Sequence, residues 1–368
     1  MLADVVPLYP LYALLFADTG LDDAQISALL AIWSVVGLVA EVPSGALADR
    51  FSRRYALVAG GVLQALGYVL WIVLPGFPAF AAGFVLWGLG GALLSGAFEA
   101  LFYDGLAAVD AAAHYPRVLG WVTAAGLLAQ LPSAAAATVL FSLGGYGLVG
   151  WVSVGTCLAA AALASRIPEP PRVTGGEAEH PADDAGYLTT LRAGFAEVAA
   201  RPVVRGAVLA VAVLTSVDGL EEYFPLLAQD WGVPTTVVPL AILAIPLAGA
   251  VGAALGGPAS RLQPWGLAVL LGVAVVLLGA VGLVRHPAGL AGVALFYGLY
   301  RLVLVVADAR LQERIDGSAR ATVTSVAAMG SELAAFALYA GWALGGLLLV
   351  VALMMAAAPA LPRLLRSP

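Results

Sequence analysis

Apolar runs of roughly 20 residues, separated by short polar breaks, fill almost the whole chain. Runs of that length match the rise of a helix across the hydrocarbon core of a bilayer. Twelve spans are expected, near residues 3–19, 25–48, 55–75, 79–104, 117–140, 145–165, 203–228, 236–258, 266–284, 288–310, 320–340 and 343–361. The first is short, and it carries Asp4 with no basic residue, which argues against a cleaved signal peptide. Residues 166–200 are the one long polar stretch, running through Pro168-Glu169-Pro170-Pro171-Arg172 and Gly175-Gly176 to Asp184. That composition reads as a flexible linker ending in a short amphipathic segment at 188–198. It separates an N-terminal half, 1–165, from a C-terminal half, 201–368. The expected class is an all-α integral membrane protein of twelve transmembrane helices in two pseudo-symmetric six-helix halves.

Composition agrees. The 368 residues are 62% hydrophobic and 11% charged, whereas soluble domains carry about 25% charged residues. All 17 basic residues are Arg. Apart from Arg285 and Arg301, they lie in one set of alternating loops or at its edges, from Arg50 through Arg117, Arg166, Arg261 and Arg320 to Arg366. The positive-inside rule makes those loops and both termini cytoplasmic, with Asp18, Asp22, Asp23 and Asp230 outside. The formal net charge of −6 is therefore split between two faces and the interior, and points to no nucleic-acid partner. Cys157 sits in an apolar span and reads as packing. His114, His180 and His286 are far apart, so no metal site is expected. A phosphate-binding Gly-x-x-x-x-Gly-Lys loop is excluded by the absence of Lys, and no cofactor is expected. A membrane enzyme needs a catalytic cluster at one face, and outside 166–200 the loops are too short to build one.

The halves echo each other. Asp104 ends span 4 thirteen residues before Arg117 opens span 5; Asp308 ends span 10 twelve residues before Arg320 opens span 11. Gly256, Ser260 and Arg261 stand where Gly45, Asp49 and Arg50 stand in the first half. Parallel repeats about an axis normal to the membrane produce such correspondences. Clusters such as Gly88, Gly90 and Gly91, or Gly249, Gly252 and Gly256, read as close helix packing.

Between spans 2 and 3 the chain reads Gly45-Ala46-Leu47-Ala48-Asp49-Arg50-Phe51-Ser52-Arg53-Arg54. Its charges cannot enter hydrocarbon, so they mark a turn at the membrane surface. The pattern Gly-x-x-x-Asp-Arg-x-x-Arg-Arg resembles the signature loop of the major facilitator superfamily, with Ser52 where Gly is usual. The resemblance implies alternating-access transport. It further implies that Asp49 braces the N-terminus of span 11 near Arg320 when the inner side is closed, and that Arg53 pairs with Asp104. An anion at a helix N-terminus gains roughly 0.3–1 kcal/mol. Glu41-Val42-Pro43-Ser44 and Glu99-Ala100-Leu101-Phe102-Tyr103-Asp104 resemble runs in bacterial drug exporters of that superfamily. Glu41 and Glu99 lie about two turns from the inner surface and, with Arg54, are expected to serve structure or gating. Two exporter marks are weak: no basic residue stands in Leu86–Gly90, and the glycine–proline motif of span 5 is reduced to Gly126 and Pro132.

Deeper charges carry the candidate chemistry. Asp218, Glu221 and Glu222 recur at helical spacing in span 7, on one face with Thr215. Arg301 lies midway along span 10, and Glu332 midway along span 11. Such groups default to function, because each costs kilocalories unless it lines water or pairs. By the resemblance, spans 1, 4, 7 and 10 line the central cavity, which places Asp218 and Arg301 there. Arg301 is expected to pair with Asp218 or Glu332, leaving another acid to take up protons. Tyr9, Tyr12 and Tyr297 join the expected lining, where aromatic faces and surplus acids suit lipophilic cations. The expected function is proton-coupled efflux of a small amphipathic, cationic compound by a monomeric secondary transporter whose partners are that compound, protons and the lipid bilayer. The alternatives are proton-coupled uptake of a small metabolite, or a transport-inactive facilitator-like sensor or scaffold.

Overall fold

The computed structural model describes residues 5–50, 52–168, 196, 198–315 and 320–365; the side chains of residues 41–50, Glu99 and Arg320 lie outside the description. Most of the expected linker, 169–195, is likewise outside it. The described residues form helices and turns, with no strand. They fall into two compact units, Met1–His180 with Thr235–Leu240, and Pro181–Pro234 with Ala241–Pro368. Among them, eight helices are long and apolar enough to cross a membrane. Two of these eight are each a pair of expected spans joined end to end, and the shorter Val238–Ala254 stands at expected span 8. The chain is thus a multi-pass helical membrane protein.

In the first unit, a 3₁₀ turn at Tyr9–Leu11 leads into α1 (Tyr12–Asp18), so expected span 1 is helical over a shorter stretch than 3–19. Asp22 and Gln25 cap the entry to α2 (Asp23–Arg50): Gln25 N–H donates to Asp22 Oδ1 at 2.8 Å, and Asp22 N–H donates to Gln25 Oε1 at 3.1 Å. This reciprocal arrangement satisfies two otherwise unpaired amides. The expected surface loop from Gly45 is mostly helix, since Gly45, Asp49 and Arg50 belong to the last turns of α2. Ser52 then caps α3 (Arg53–Val73) by accepting from Tyr55 N–H at 3.2 Å. A side-chain acceptor at this position supplies what glycine cannot. α4 (Phe77–Ala107) packs on α2 and α3, and α3 also packs on α5 (Tyr115–Ala164).

At one end of this unit the core is aromatic. Phe16, Trp71, Phe80 and Phe84 are fully or almost fully buried, and Tyr12 and Phe16 stack edgewise or tilted on them. The indole hydrogens are satisfied inside the packing: Trp71 Nε1 donates to the Phe80 carbonyl at 3.1 Å, and Trp87 Nε1 to Tyr68 Oη at 2.9 Å. At the other end the core is aliphatic, with Ala56, Leu57, Leu93, Ala97 and Leu101.

The second unit contains α6 (Pro202–Ser216), a 3₁₀ segment at Val217–Tyr223 and α7 (Phe224–Asp230). Expected span 7 is therefore broken at its acids. Expected span 8 is likewise in pieces: α8 (Val238–Ile242), whose residues up to Leu240 belong to the first unit, then α9 (Ala244–Ala254) and α10 (Gly256–Ala259) in the second. α11 (Pro264–Val284), α12 (Gly289–Arg314), α13 (Arg320–Ala357) and α14 (Leu361–Leu364) complete it. α9 lies so close on α12 that a Cβ added to Gly252 would clash with the Gly298 carbonyl oxygen. Small residues at such crossings let helix backbones approach where lipid offers no hydrophobic drive.

The repeat is clearest at two hinges. Inside α5, Gly144 and Gly145 leave helical geometry at φ −156°, ψ 19° and φ 58°, ψ −157°. Inside α13, Gly345 and Gly346 do the same at φ −157°, ψ 16° and φ 58°, ψ −155°. A Cβ on Gly144 would sit 2.7 Å from Leu148 Cβ, and one on Gly345 the same distance from Leu349 Cβ. Each hinge ends one apolar helix and begins the next, the first at the expected start of span 6 and the second a few residues inside expected span 12. The positive-φ residues occupy a region essentially confined to glycine, where a side chain costs about 1–3 kcal/mol. Gly145→Ala and Gly346→Ala should therefore each lower stability by about that amount, measured as thermal unfolding of the purified protein in detergent. Gly147→Ala, at a helical glycine with open space around it, should change little.

Candidate functional site

Two groups of charged residues stand out, one in each unit. In the first, Ser52 starts α3 so that Arg53 occupies its first turn, and Asp104 lies near the end of α4. The two side chains form an ion pair through Arg53 Nη1 and Asp104 Oδ2, each only 17% exposed. A pair this sheltered is screened less than one in open water. Arg54 turns instead over the ring of Tyr55, 5.1 Å from its centroid. The second unit treats the corresponding corner differently. Arg310 of α12 donates to the Ser260 and Leu262 carbonyls, which follow α10. An arginine from span 10 thus holds the loop by its backbone, where in the first unit an aspartate from span 4 holds the loop's arginine.

The second group lies midway along α12 and expected span 7. Tyr297, Tyr300 and Arg301 recur at i, i+3 and i+4 on α12, forming one stripe. Opposite them, the 3₁₀ segment changes the geometry of the acids. At three residues per turn, positions i and i+3 eclipse, so Asp218 and Glu221 align while Glu222 is displaced by about a third of a turn. Glu222 is correspondingly 8% exposed and sits off the shared column expected from helical spacing. Thr215, three residues before Asp218, is half-buried.

Contacts in this group are dense. Arg301 Nη1 donates to Asp218 Oδ1 at 3.0 Å and to Oδ2 at 2.9 Å, with side chains 32% and 35% exposed. Tyr300 Oη lies 3.0 Å from Asp218 Oδ1 and 2.8 Å from the Leu214 carbonyl. That carbonyl also takes Val217 N–H where α6 tightens into the 3₁₀ segment. Tyr297 Oη lies 3.1 Å from Asp218 Oδ1 and against Glu221 Oε1. Gly249 of α9 makes room for all this: a Cβ there would stand 2.6 Å from the Tyr297 ring and 3.3 Å from Arg301 Cγ. The arrangement is a guanidinium neutralised by one carboxylate, with a second carboxyl joined to it through a phenol.

The expected site residues are thus distributed as follows. Asp218, Glu221, Tyr297 and Arg301 meet directly, and of the two acids expected for Arg301 it is Asp218 that it holds. Glu332 is half-buried on α13. Tyr12 departs from expectation: at 5% exposure, between Phe16, Trp71 and Phe84, it is core rather than lining. Tyr9 is 43% exposed and stacks on Trp87. Glu41, Gly45, Asp49 and Arg50 lie on α2, Glu99 on α4, and Arg320 opens α13, but their side chains are outside the description. Among the described residues no cluster of metal-ligand type occurs. Sequence reading missed the part played by Gly249. It also missed how closely Tyr300 joins the acids, although the Tyr297–Tyr300–Arg301 spacing repeats that of Asp218–Glu221–Glu222 and invited a pairing.

Residues 2–339 match the family model described as Major Facilitator Superfamily. Enterobactin exporter EntS of Shigella boydii serotype 18 is 29% identical over 242 residues, covering 62% of this chain and 53% of the relative. Its counterpart from Escherichia coli O127:H6 is 28% identical over 256 residues, covering 65% and 56%. The chain thus spans about half the length of the curated relatives it matches. A solved nucleoside transporter, NupG, aligns over 99% of this chain and 96% of its own, with a TM-score of 0.72 and 13% identity. A D-xylose-proton symporter aligns over 97% and 94%, with a TM-score of 0.65 and 16% identity. A bacterial homologue of the human lysosomal transporter Spinster aligns over 99% and 88%, with a TM-score of 0.67 and 18% identity. At these identities the structures speak for the fold.

Neutralising either partner of the Arg53–Asp104 pair strands a sheltered charge. In a double-mutant cycle of Arg53→Gln and Asp104→Asn, the coupling should be about 0.5–3 kcal/mol in thermal unfolding. Additive effects of the two substitutions would show that the pair does not hold α3 to α4.

Proposed function

This chain belongs to the major facilitator superfamily, and from that premise we propose that it exports a small amphipathic, cationic compound in exchange for protons. The observation that carries this reading is the mid-span group of Asp218, Glu221, Tyr297, Tyr300 and Arg301. A charge at such depth costs about 2.5–3.5 kcal/mol on insertion scales. A fold that only had to span the bilayer would shed that cost by placing leucine there. Retaining two joined carboxyls beside one guanidinium makes sense if the group changes protonation as its surroundings alternate. The names of the curated relatives, exporters of a small compound, support the direction.

In this reading the chain, with halves 1–165 and 201–368 and a cytoplasmic linker at 166–200, works by alternating access. The acids of span 7 and the exposed ring of Tyr9 are the contacts offered to a lipophilic cation. The Arg53–Asp104 pair, together with Glu41, Asp49, Arg50, Arg54, Glu99 and Arg320, forms the inner latch, whose making and breaking sets the populations of the two states. Both termini and the latch face the cytoplasm, by the arginine distribution. The chain works as a monomer in the inner membrane, with protons and lipid as its other partners.

Reconstitution tests this. Vesicles containing the full chain and an imposed pH gradient should move radiolabelled tetraphenylphosphonium against the proton gradient. Asp218→Asn should reduce that flux at least tenfold. Gradient-driven flux unaffected by Asp218→Asn would overturn the role given to this group. Proton-driven accumulation of a sugar or nucleoside in place of the cation would favour uptake, and a silent protein across both panels a sensor.

A further inference from the structure

Within the first unit a cavity of about 180 Å³ lies between α3, α4 and the second leg of α5. Its walls include Leu57 and Gln64, Leu94 and Phe98, and Cys157 and Ala160. It adjoins the aliphatic core, to which Leu57 belongs and against which Leu94 and Ala164 pack. Gly61 lets α3 and α5 meet beside it, since a Cβ there would stand 3.1 Å from Ala161 Cβ. Phe98 and Leu163 also line it and are exposed, so the cavity is a groove open on that side. Apart from the Gln64 amide, the lining side chains are hydrocarbon and one thiol. An apolar cavity of about 150 Å³ stays dry and accepts hydrocarbon, so water is the wrong occupant. A helix, about 10–12 Å across with its side chains, is too broad.

The internal repeat tells what kind of group fits. Counted from the hinges, Gly144 matches Gly345, so Ala160 and Ala164 match Leu361 and Leu365. Both leucines are buried, in and just after α14, which packs on α11, the counterpart of α3. The second unit thus fills this position with aliphatic side chains of its own, where the first has alanines beside an open groove. What completes the first unit is hydrocarbon from outside the chain, and the solvent of membrane-spanning helices is lipid.

Charge marks one end of the groove. Arg54, Leu57, Gly61 and Gln64 recur at i, i+3, i+7 and i+10, along one stripe of α3. Arg54 therefore lies one turn beyond the groove, toward the start of the helix. Its Nε is buried with no hydrogen-bond partner among the described residues. Arg166 stands exposed just past the end of α5, between the lining residues Ala164 and Ile167. Two cations at the mouth of an aliphatic slot suit a phosphate with a hydrocarbon chain below it.

We propose that this groove holds one acyl chain of an anionic phospholipid, drawn from the leaflet that the arginine-bearing loops face, with its phosphate at Arg54 and Arg166. The site uses none of the mid-span charges, and it stands whether or not the transport reading does. The chain closes the packing of α3, α4 and α5 near the corner where Arg53 meets Asp104, as Leu361 and Leu365 close the second unit.

Cys157, the single cysteine of the chain, is part of the lining and reports occupancy. With the full chain in detergent, added phosphatidylglycerol should slow its labelling by N-ethylmaleimide several-fold, and phosphatidylcholine should slow it less. Native mass spectrometry from an equimolar mixture of the two lipids should retain one phosphatidylglycerol. Ala160→Leu combined with Ala164→Leu, which copies the second unit, should abolish that retention and keep labelling slow without lipid. Arg54→Gln combined with Arg166→Gln should lower the preference for phosphatidylglycerol over phosphatidylcholine roughly thirtyfold, with a lipid still retained. Labelling of the unaltered chain that is indifferent to phosphatidylglycerol overturns the proposal, and this reading needs no variant to fold. Unchanged retention in the leucine variant overturns it too. Slowing by tetraphenylphosphonium alone would give the groove to the transported compound instead.

Discussion

A guanidinium held halfway along an apolar helix imposes its requirements on everything near it. Arg301 cannot be neutralised by deprotonation, and hydrocarbon cannot solvate it, so a carboxylate must be brought to it. Asp218 answers, with both oxygens engaged. Bringing that carboxylate into register with Glu221 goes with a departure of span 7 from α-helical winding at Val217–Tyr223. Where the winding changes, Tyr300 also reaches the Leu214 carbonyl, beside Val217 N–H. Space for Tyr297 and Arg301 then depends on an absent side chain at Gly249, one helix away. Features dispersed over four segments are thus consequences of one charge.

The described residues of the first unit are arranged differently. Where the second carries charge at mid-depth, the first carries rings: Tyr12, Phe16, Trp71 and Phe84 interlock, and the indole hydrogens of Trp71 and Trp87 are answered within the packing. Its described ion pair sits at a helix end, where Arg53 meets Asp104. The repeated architecture therefore carries two chemistries. Among the described residues, the first unit carries an aromatic core and the second carries the mid-span carboxyls.

Much of the architecture was legible in the sequence because the length of an apolar run is a one-dimensional property. The spans lie close to where hydropathy places them, and the Arg53–Asp104 contact came with a family resemblance. What escaped was local winding. Read at 3.6 residues per turn, Asp218, Glu221 and Glu222 share a face; at three per turn only the first two do. Nothing in Val217–Tyr223 announces the tighter spiral, since its contacts come from Tyr300, far along the chain. The signature segment also looked like a loop because its charges end an apolar run, yet helix continues through Arg50. Tyr12 had the composition of a ligand-binding aromatic, and only its neighbours show it to be packing.

The Gly144–Gly145 and Gly345–Gly346 hinges bear on how the protein is made. Each joins two apolar helices with no hydrophilic segment between them: Leu143 to Gly147 contains no charge, and neither does Leu344 to Leu348. A ribosome-bound chain therefore presents each pair to the translocon as one unit, and the bend itself holds nothing that could anchor it to either side of the bilayer. The charges on which the positive-inside rule can act for each pair are therefore those at its open ends, Arg117 with Arg166 and Arg320 with Arg363.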